Sequence, residues 1–158
     1  MRQIIAGGRG FVGRHVAELF PDALIYDKGD YVPRETFGFC HVCVPTPMNP
    51  DGSCDVSAVE DVLAKIKAEI YIIRSTVYPG FCKLYFVFQP EYIASDSPYP
   101  APLGDVRRHP FIVLGGHKES VKKVRRLYET VYPPTTQFVE MTSLEAEICK
   151  LMENSFIG

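Results

Sequence analysis

No stretch of this sequence is apolar for long enough to span a bilayer, and its first residues lack a secretory signal pattern. An excess of either charge is also missing. A net charge of −2 leans neither toward nucleic acid nor toward an anionic membrane, so neither partner is expected. Cysteine is too sparse for a disulfide framework, and its count of five is odd. Reduced thiols in a cytoplasmic protein are therefore expected. Repeats and low-complexity tracts are absent as well. What is present is ordinary for a globular chain: 46% hydrophobic and 23% charged residues over 158 positions, enough for one domain with a real core.

The most informative stretch comes first. Residues 3–6, QIIA, read as a short buried strand, and residues 11–20 read as a helix. Between them Gly8-Arg9-Gly10-Phe11-Val12-Gly13 matches G-x-G-x-x-G. Strand, glycine turn and helix form the context of a dinucleotide fingerprint. Gly8 is expected to permit the tight turn. Gly10 is expected to let the backbone approach a pyrophosphate, and Gly13 to let the helix pack on the strand. The helix N-terminus then offers free N–H groups and a positive dipole end to an anion. Residues 24–26 read as the next strand, and Asp27 follows it, about 20 residues after the first glycine, where a carboxylate would take ribose hydroxyls. Asp27 would repel a 2′-phosphate, which favours NAD over NADP; Lys28 softens that preference. A ligand-free glycine turn and an ordinary turn aspartate share these local sequences, but the ordered series favours cofactor binding.

Pro33 argues against a long helix over 28–38. Residues 39–44, FCHVCV, form a continuous apolar run suited to a buried parallel strand. Cys40 and Cys43 would point to opposite faces of it, so no metal site is expected and core thiols are the better reading. His41 is read as core or cofactor-facing. Asp55 can cap a helix over 56–67. Strands are expected over 69–74, 84–88, 111–114 and 137–140, the last edge-like, with turns at 75–80 and at Gly115-Gly116. The turns after the strands over 39–44, 69–74 and 84–88 lie where open α/β sheets bind ligands. The proline-rich connection over 95–110 is long enough to be a lid or disordered. Its Arg107 and Arg108 could touch phosphate or be solvated loop charges, the blander reading. Residues 118–131 read as an amphipathic helix with Lys122, Lys123, Arg125 and Arg126 on a solvated face. Thr142-Ser143-Leu144-Glu145 is a capping box opening a terminal helix. Lys150 and Asn154 share a face of it, and spacing alone makes them surface residues.

Taken in order, GRGFVG with Asp27, VPTP followed by DGSCDVS, RSTVYPG, QPE, PFIVLGG and EAEICKLMEN make the chain resemble the N-terminal part of the nucleotide-sugar dehydrogenases, the UDP-glucose 6-dehydrogenase and GDP-mannose dehydrogenase group. The resemblance covers essentially the whole sequence. It implies an α/β fold: a Rossmann-like, doubly wound, mostly parallel sheet over 1–141, then the start of a long central helix over 142–158. The implied chemistry is oxidation of a primary alcohol to an acid by two hydride transfers to NAD, through a cysteine thiohemiacetal and thioester. The implied cofactor contacts are Gly8, Gly10, Phe11, Val12, Gly13 and Asp27. Val44, Thr46 and Pro47 would line the adenosine and ribose side, with Ser75 and Thr76 near the nicotinamide. Thr76 would help hold a catalytic water, Glu91 would serve thioester hydrolysis, and Lys150 and Asn154 would stabilise charge on the substrate oxygen.

The departures matter equally. The family's second domain, with its cysteine nucleophile and most of the UDP-sugar pocket, lies outside these residues. Cys149 neighbours Lys150 and so points about 100° away around the helix; it is expected to be a packing residue. The connection over 28–39 is shorter than the family's by roughly a helix and a strand, and the family's second glutamate is Ser95 here. Four readings follow. The chain is an NAD-binding half unable alone to finish the reaction; or it is completed by a separate chain carrying the cysteine domain; or it is a non-catalytic protein that binds or sequesters NAD or a related nucleotide; or it is a piece of a longer enzyme. Leu144, Ile148 and Leu151 on the terminal helix suggest an interface, and the resemblance implies a homodimer there.

Overall fold

The computed structural model describes residues 1–93 and 106–157. Ser95, most of the 95–110 connection and the side chain of Arg108 lie outside the described residues. Seven strands form one sheet: β1 (Gln3–Ala6), β2 (Leu24–Tyr26), β3 (Thr36–Val42), β4 (Lys67–Ile73), β5 (Phe86–Phe88), β6 (Phe111–Gly116) and β7 (Gln137–Met141). Their order is β2-β1-β3-β4-β5-β6-β7, and every neighbouring pair is parallel except β5 with β6. Helices α1 (Phe11–Leu19), α2 (Ser57–Lys65), α3 (Lys118–Tyr128) and α4 (Ser143–Ile157) cover the sheet. This is the Rossmann-like, doubly wound arrangement expected from the sequence.

The alternating strand residues divide the core between two faces. Ile5, Ile72, Val87 and Leu114 pack with Val16 and Leu19 of α1, with Phe20 just after it, and with Val121, Val124 and Tyr128 of α3. Ile4, Ala6, Val42 and Phe88 pack on the other face with Val59 and Val62 of α2 and Ala146 of α4. Residues 27–35 pass from β2 to β3 without a helix, the short connection seen in the sequence. The β3 run starts earlier than expected because Thr36 and Phe37 find partners in Lys67 and Ala68, and it ends at Val42 opposite Ile73. Only three residues of the expected 84–88 strand pair with β4.

Two expectations are corrected. Gly115 and Gly116 are not a turn; they end β6 and pair antiparallel with Phe88 and Val87. A Cβ on Gly115 would lie 2.4 Å from that of Ala146, so the residue is small to let α4 sit close. Cys149 does not pack; it is exposed on α4. The capping box does form, with Thr142 N–H donating to Glu145 Oε2 at 2.8 Å and Glu145 N–H to Thr142 Oγ1 at 3.3 Å. Among the described residues no helix is long and apolar enough to cross a membrane, and no cluster could hold a metal ion.

Cys40 is buried, and its thiol is pushed up by burial and then by Cys43. His41 is fully buried; its Nε2 shares a 2.9 Å hydrogen bond with Gln3 Oε1, and Nδ1 finds no partner among the described residues. Burial, then the nearby Arg74 charge, hold its pKa well below 6.5. The unfolded chain takes up this proton below about pH 6.5 while the folded chain does not, so stability falls as pH drops through that value. Between about pH 7.5 and about pH 5.5, wild type should lose about 1.4 kcal/mol more unfolding free energy than His41→Gln, measured by urea denaturation at each pH.

Candidate functional site

Strands β1 to β5 are parallel, so their carboxyl ends lie on one edge of the sheet. That edge carries Gly7 after β1, Asp27 after β2, Val44-Pro45-Thr46 after β3, Arg74-Ser75-Thr76 after β4 and Glu91 after β5. Because β6 and β7 run the other way, α4 starts at the opposite edge and climbs back. At about 1.5 Å per residue, two to three turns bring Lys150 and Asn154 up to the strand ends.

The glycine loop is packed hard on β1. The positive φ of +80° falls at Gly7, not at Gly8, the position expected to make the turn. Gly8 is buried beneath Ile25 instead. A Cβ on Gly13 would lie 2.1 Å from the Gly7 carbonyl oxygen, so only glycine lets α1 approach this closely. Gly10 is the exposed residue at the start of α1; its N–H donates to the Gly7 carbonyl at 3.0 Å, and no side chain caps the helix. Asp27 turns toward the loop: its Oδ2 accepts the Arg9 backbone N–H at 3.0 Å.

Two cavities meet at Val44 and Pro45. One, of about 420 Å³, is lined by Gly7, Tyr26, Asp27, Lys28 and the Ser57-Ala58-Asp61-Val62-Lys65 face of α2. The other, of about 290 Å³, is lined by Val12, Thr46, Arg74, Ser75, Thr76, Glu91, Ile93, Lys150 and Asn154. The structure therefore brings Ser75, Thr76, Glu91, Lys150 and Asn154 to one hollow, and Asp27 to the adjoining one. Gly8, Gly10, Phe11, Gly13 and Pro47 line neither. Phe11 lies exposed against His15, and the Pro47 carbonyl instead accepts the Asp55 N–H at 2.8 Å. Pro45, Tyr26, Gly7 and the α2 face were not foreseen. A doubled glycine and a residue between Val44 and Thr46 were the available signals for two of them.

The second hollow is anchored by a buried ion pair. Arg74 Nη1 donates to Glu91 Oε2, with the two side chains 0% and 5% exposed. Arg74 Nη2 also donates to the Tyr128 hydroxyl at 3.2 Å, and that hydroxyl donates to Gln89. The other Glu91 oxygen accepts the Tyr92 N–H at 2.9 Å. Glu91 is thus a fixed acceptor with its charge balanced by Arg74, a partner the sequence reading did not single out. Ser75 Oγ donates to the Val44 carbonyl at 2.7 Å, tying two strand ends together. Thr76 lines the hollow, and its carbonyl receives the Cys54 thiol at 3.3 Å. Lys150 Nζ donates to Glu153 at 2.9 Å and sits 5.0 Å from the Tyr92 ring centre. Glu147, also unforeseen, is fully buried and accepts the Gly80 and Cys82 N–H groups at 2.6 and 2.8 Å, pinning the turn after β4 onto α4. Arg107 reaches Glu18 at 3.5 Å. None of the five cysteines lines either hollow.

The chain matches no protein-family model, and no curated protein matches it. Solved structures do match in fold. Against the UDP-N-acetyl-mannosamine dehydrogenase of Staphylococcus aureus the TM-score is 0.77 at 21% identity, over 99% of this chain and 51% of that one. A UDP-glucose dehydrogenase from Pyrobaculum islandicum gives 0.71 at 22% identity, over 99% and 50%. The GDP-mannose dehydrogenase of Pseudomonas aeruginosa, solved as a ternary complex, gives 0.75 at 19% identity, again over 99% and 50%. The chain spans about half the length of these structures and has the fold of that half.

Removing one partner of a buried ion pair leaves the other charge uncompensated, at a cost of about 3–5 kcal/mol, whereas replacing both with apolar groups is close to neutral. Glu91→Leu should therefore lower the unfolding free energy in urea by about that amount, and Arg74→Met with Glu91→Leu should recover most of it.

Proposed function

We propose that the joined hollows hold NAD, and that the chain is the dinucleotide-binding part of a nucleotide-sugar dehydrogenase. The observation that carries this reading is the set at the first hollow: a glycine loop packed on β1, an α1 start that no side chain caps, and the Asp27 carboxylate turned onto that loop beside a cavity of about 420 Å³. Backbone donors and a helix dipole suit a pyrophosphate, and a carboxylate suits ribose hydroxyls. The likeness in fold to three dehydrogenases supports the same reading.

Bound NAD would supply a hydride acceptor. The chain's own groups would contribute part of the rest at the second hollow. Thr76 would hold a water, Glu91 would take part in hydrolysis, and Lys150 and Asn154 would stabilise charge on a sugar oxygen. Lys150 would first have to exchange Glu153 for that oxygen. The reading takes oxidation of a nucleotide sugar's 6-hydroxyl to a carboxylate as the full reaction. The thiol for its covalent step must come from outside these hollows, from another segment or a separate chain. A homodimer would form along Leu144, Ile148 and Leu151, the first two 51% and 41% exposed and Leu151 half-buried. A second reading, a protein that binds or sequesters NAD without catalysis, is favoured by the lack of a thiol in the hollows and by the charge of Glu91 being balanced by Arg74.

Calorimetric titration with NAD tests the main claim. At NAD about a hundredfold above Kd, linkage stabilises the fold by about 2.7 kcal/mol, about 5–10 °C in Tm for a domain of this size. Gly10→Ala should keep the fold but weaken NAD at least about tenfold, since its Cβ would occupy the approach to the loop. No heat and no Tm shift at millimolar NAD would overturn the reading. NADH formed by the pure protein from NAD and UDP-glucose would exclude the non-catalytic one.

A further inference from the structure

This inference rests on the dinucleotide reading and concerns what decides between NAD and NADP. Asp27 is not alone at the end of β2. Its Oδ2 accepts Arg9 Nη1 at 3.2 Å as well as the Arg9 amide. The same Nη1 lies closer to Asp30 Oδ2, at 2.8 Å. Asp30 is in turn held by the backbone of Asp27: its Oδ2 accepts the Asp27 N–H at 2.9 Å, and its own N–H donates to the Asp27 carbonyl at 3.0 Å. The second oxygen of Asp27 accepts no hydrogen bond among the described residues.

The placement of these groups is asymmetric. Asp27 and Lys28 line the cavity of about 420 Å³, but Arg9 and Asp30 do not. They line a shallow depression on the other side of β2, with Tyr31, Arg34 and Glu35. Asp30 thus draws the guanidinium away from the cavity. Arginine is the side chain best suited to a phosphate, because its planar fork matches two oxygens at once. A guanidinium paired with Asp27 alone would have two effects. It would occupy the carboxylate that ribose hydroxyls need, and it would offer a cation beside Lys28 to a 2′-phosphate.

We propose that Asp30 is a positioning residue for cofactor choice: by anchoring Arg9 it leaves Asp27 open to ribose hydroxyls and denies a guanidinium to a 2′-phosphate. Arg9, followed by the Asp27 amide, holds the Asp30 carboxyl below the usual carboxylate range, so Asp30 stays ionised at neutral pH. The Arg9 side chain is 61% exposed, and exposed pairs contribute little to stability. The consequence of the pair is charge placement rather than folding.

The test is calorimetric titration of NAD and NADP into wild type, Asp30→Asn, Arg9→Gln and the double variant, with Tm as a check on folding. Asparagine keeps an acceptor for the Asp27 amide, so the turn should persist. Wild type should prefer NAD. Asp30→Asn should narrow the NAD-to-NADP affinity ratio at least about tenfold, mainly by tightening NADP. Arg9→Gln should keep the preference, and adding it to Asp30→Asn should restore it. A lesion in the turn would not be rescued by removing a side chain from another loop. An unchanged ratio in Asp30→Asn, a wild type that prefers NADP, or a double variant that keeps the narrowed ratio would each overturn the proposal while leaving dinucleotide binding intact. A wild type that binds neither nucleotide would remove the dinucleotide reading and this inference with it.

Discussion

The geometry of the candidate site depends on how closely α1 lies on β1. With a Gly13 Cβ position only 2.1 Å from the Gly7 carbonyl oxygen, any side chain there would lift the helix off the strand. The Gly10 end of α1, Asp27 and the Val44-Pro45 turn would then no longer face one another. The Gly7 N–H bond to the Tyr26 carbonyl and the Cys43 N–H bond to the Ala6 carbonyl, 2.9 and 2.8 Å, carry the sheet ladder past the strand ends. The loop is therefore held on both sides by backbone hydrogen bonds, and Asp27 is delivered to it by β2 at a fixed distance.

The second hollow is ordered by different physics. Arg74 and Glu91 follow neighbouring strands, and burying both charges is tolerable only because each is hydrogen-bonded as well as paired. Tyr128 brings α3 into this network and stacks over His41, so the core face beneath the sheet and the polar groups above it are joined. Glu147 does similar work on the other face, where a carboxylate buried within α4 is satisfied by two amides of the turn after β4. Lys150, one turn further on, is consequently placed by a buried anchor rather than by the surface of a solvated helix.

Much of this was legible locally. The Gln3–Ala6 strand, α1, the Leu24–Tyr26 strand and the capping box at Thr142 obey rules that act over a few residues, and each was found where those rules put it. Strand ends were less legible, because a strand stops where its partner stops: β5 is three residues long since only Phe86, Val87 and Phe88 meet β4. Gly115 and Gly116 read as a turn because paired glycines normally make one; the role of Gly115 depends on Ala146, over thirty positions later in the chain, and that of Gly116 on the Phe86 carbonyl. The same holds for Pro45 and the α2 face, whose place at the cavity follows from packing and not from any motif.

The alternation of strand and helix, the glycine loop and the acid after β2 were legible in the amino-acid order, since periodicity and turn chemistry are local properties; the doubly wound class came with the family resemblance. Packing across the whole sheet set β6 running against β5. That reversal sends α4 back along the sheet and carries Lys150 and Asn154 to the edge where Thr76 and Glu91 already lie. The tertiary structure also decided which charges are balanced, Arg74 by Glu91 and Arg9 by both Asp27 and Asp30. Such pairs form between residues distant in the chain, and no local rule of spacing encodes them.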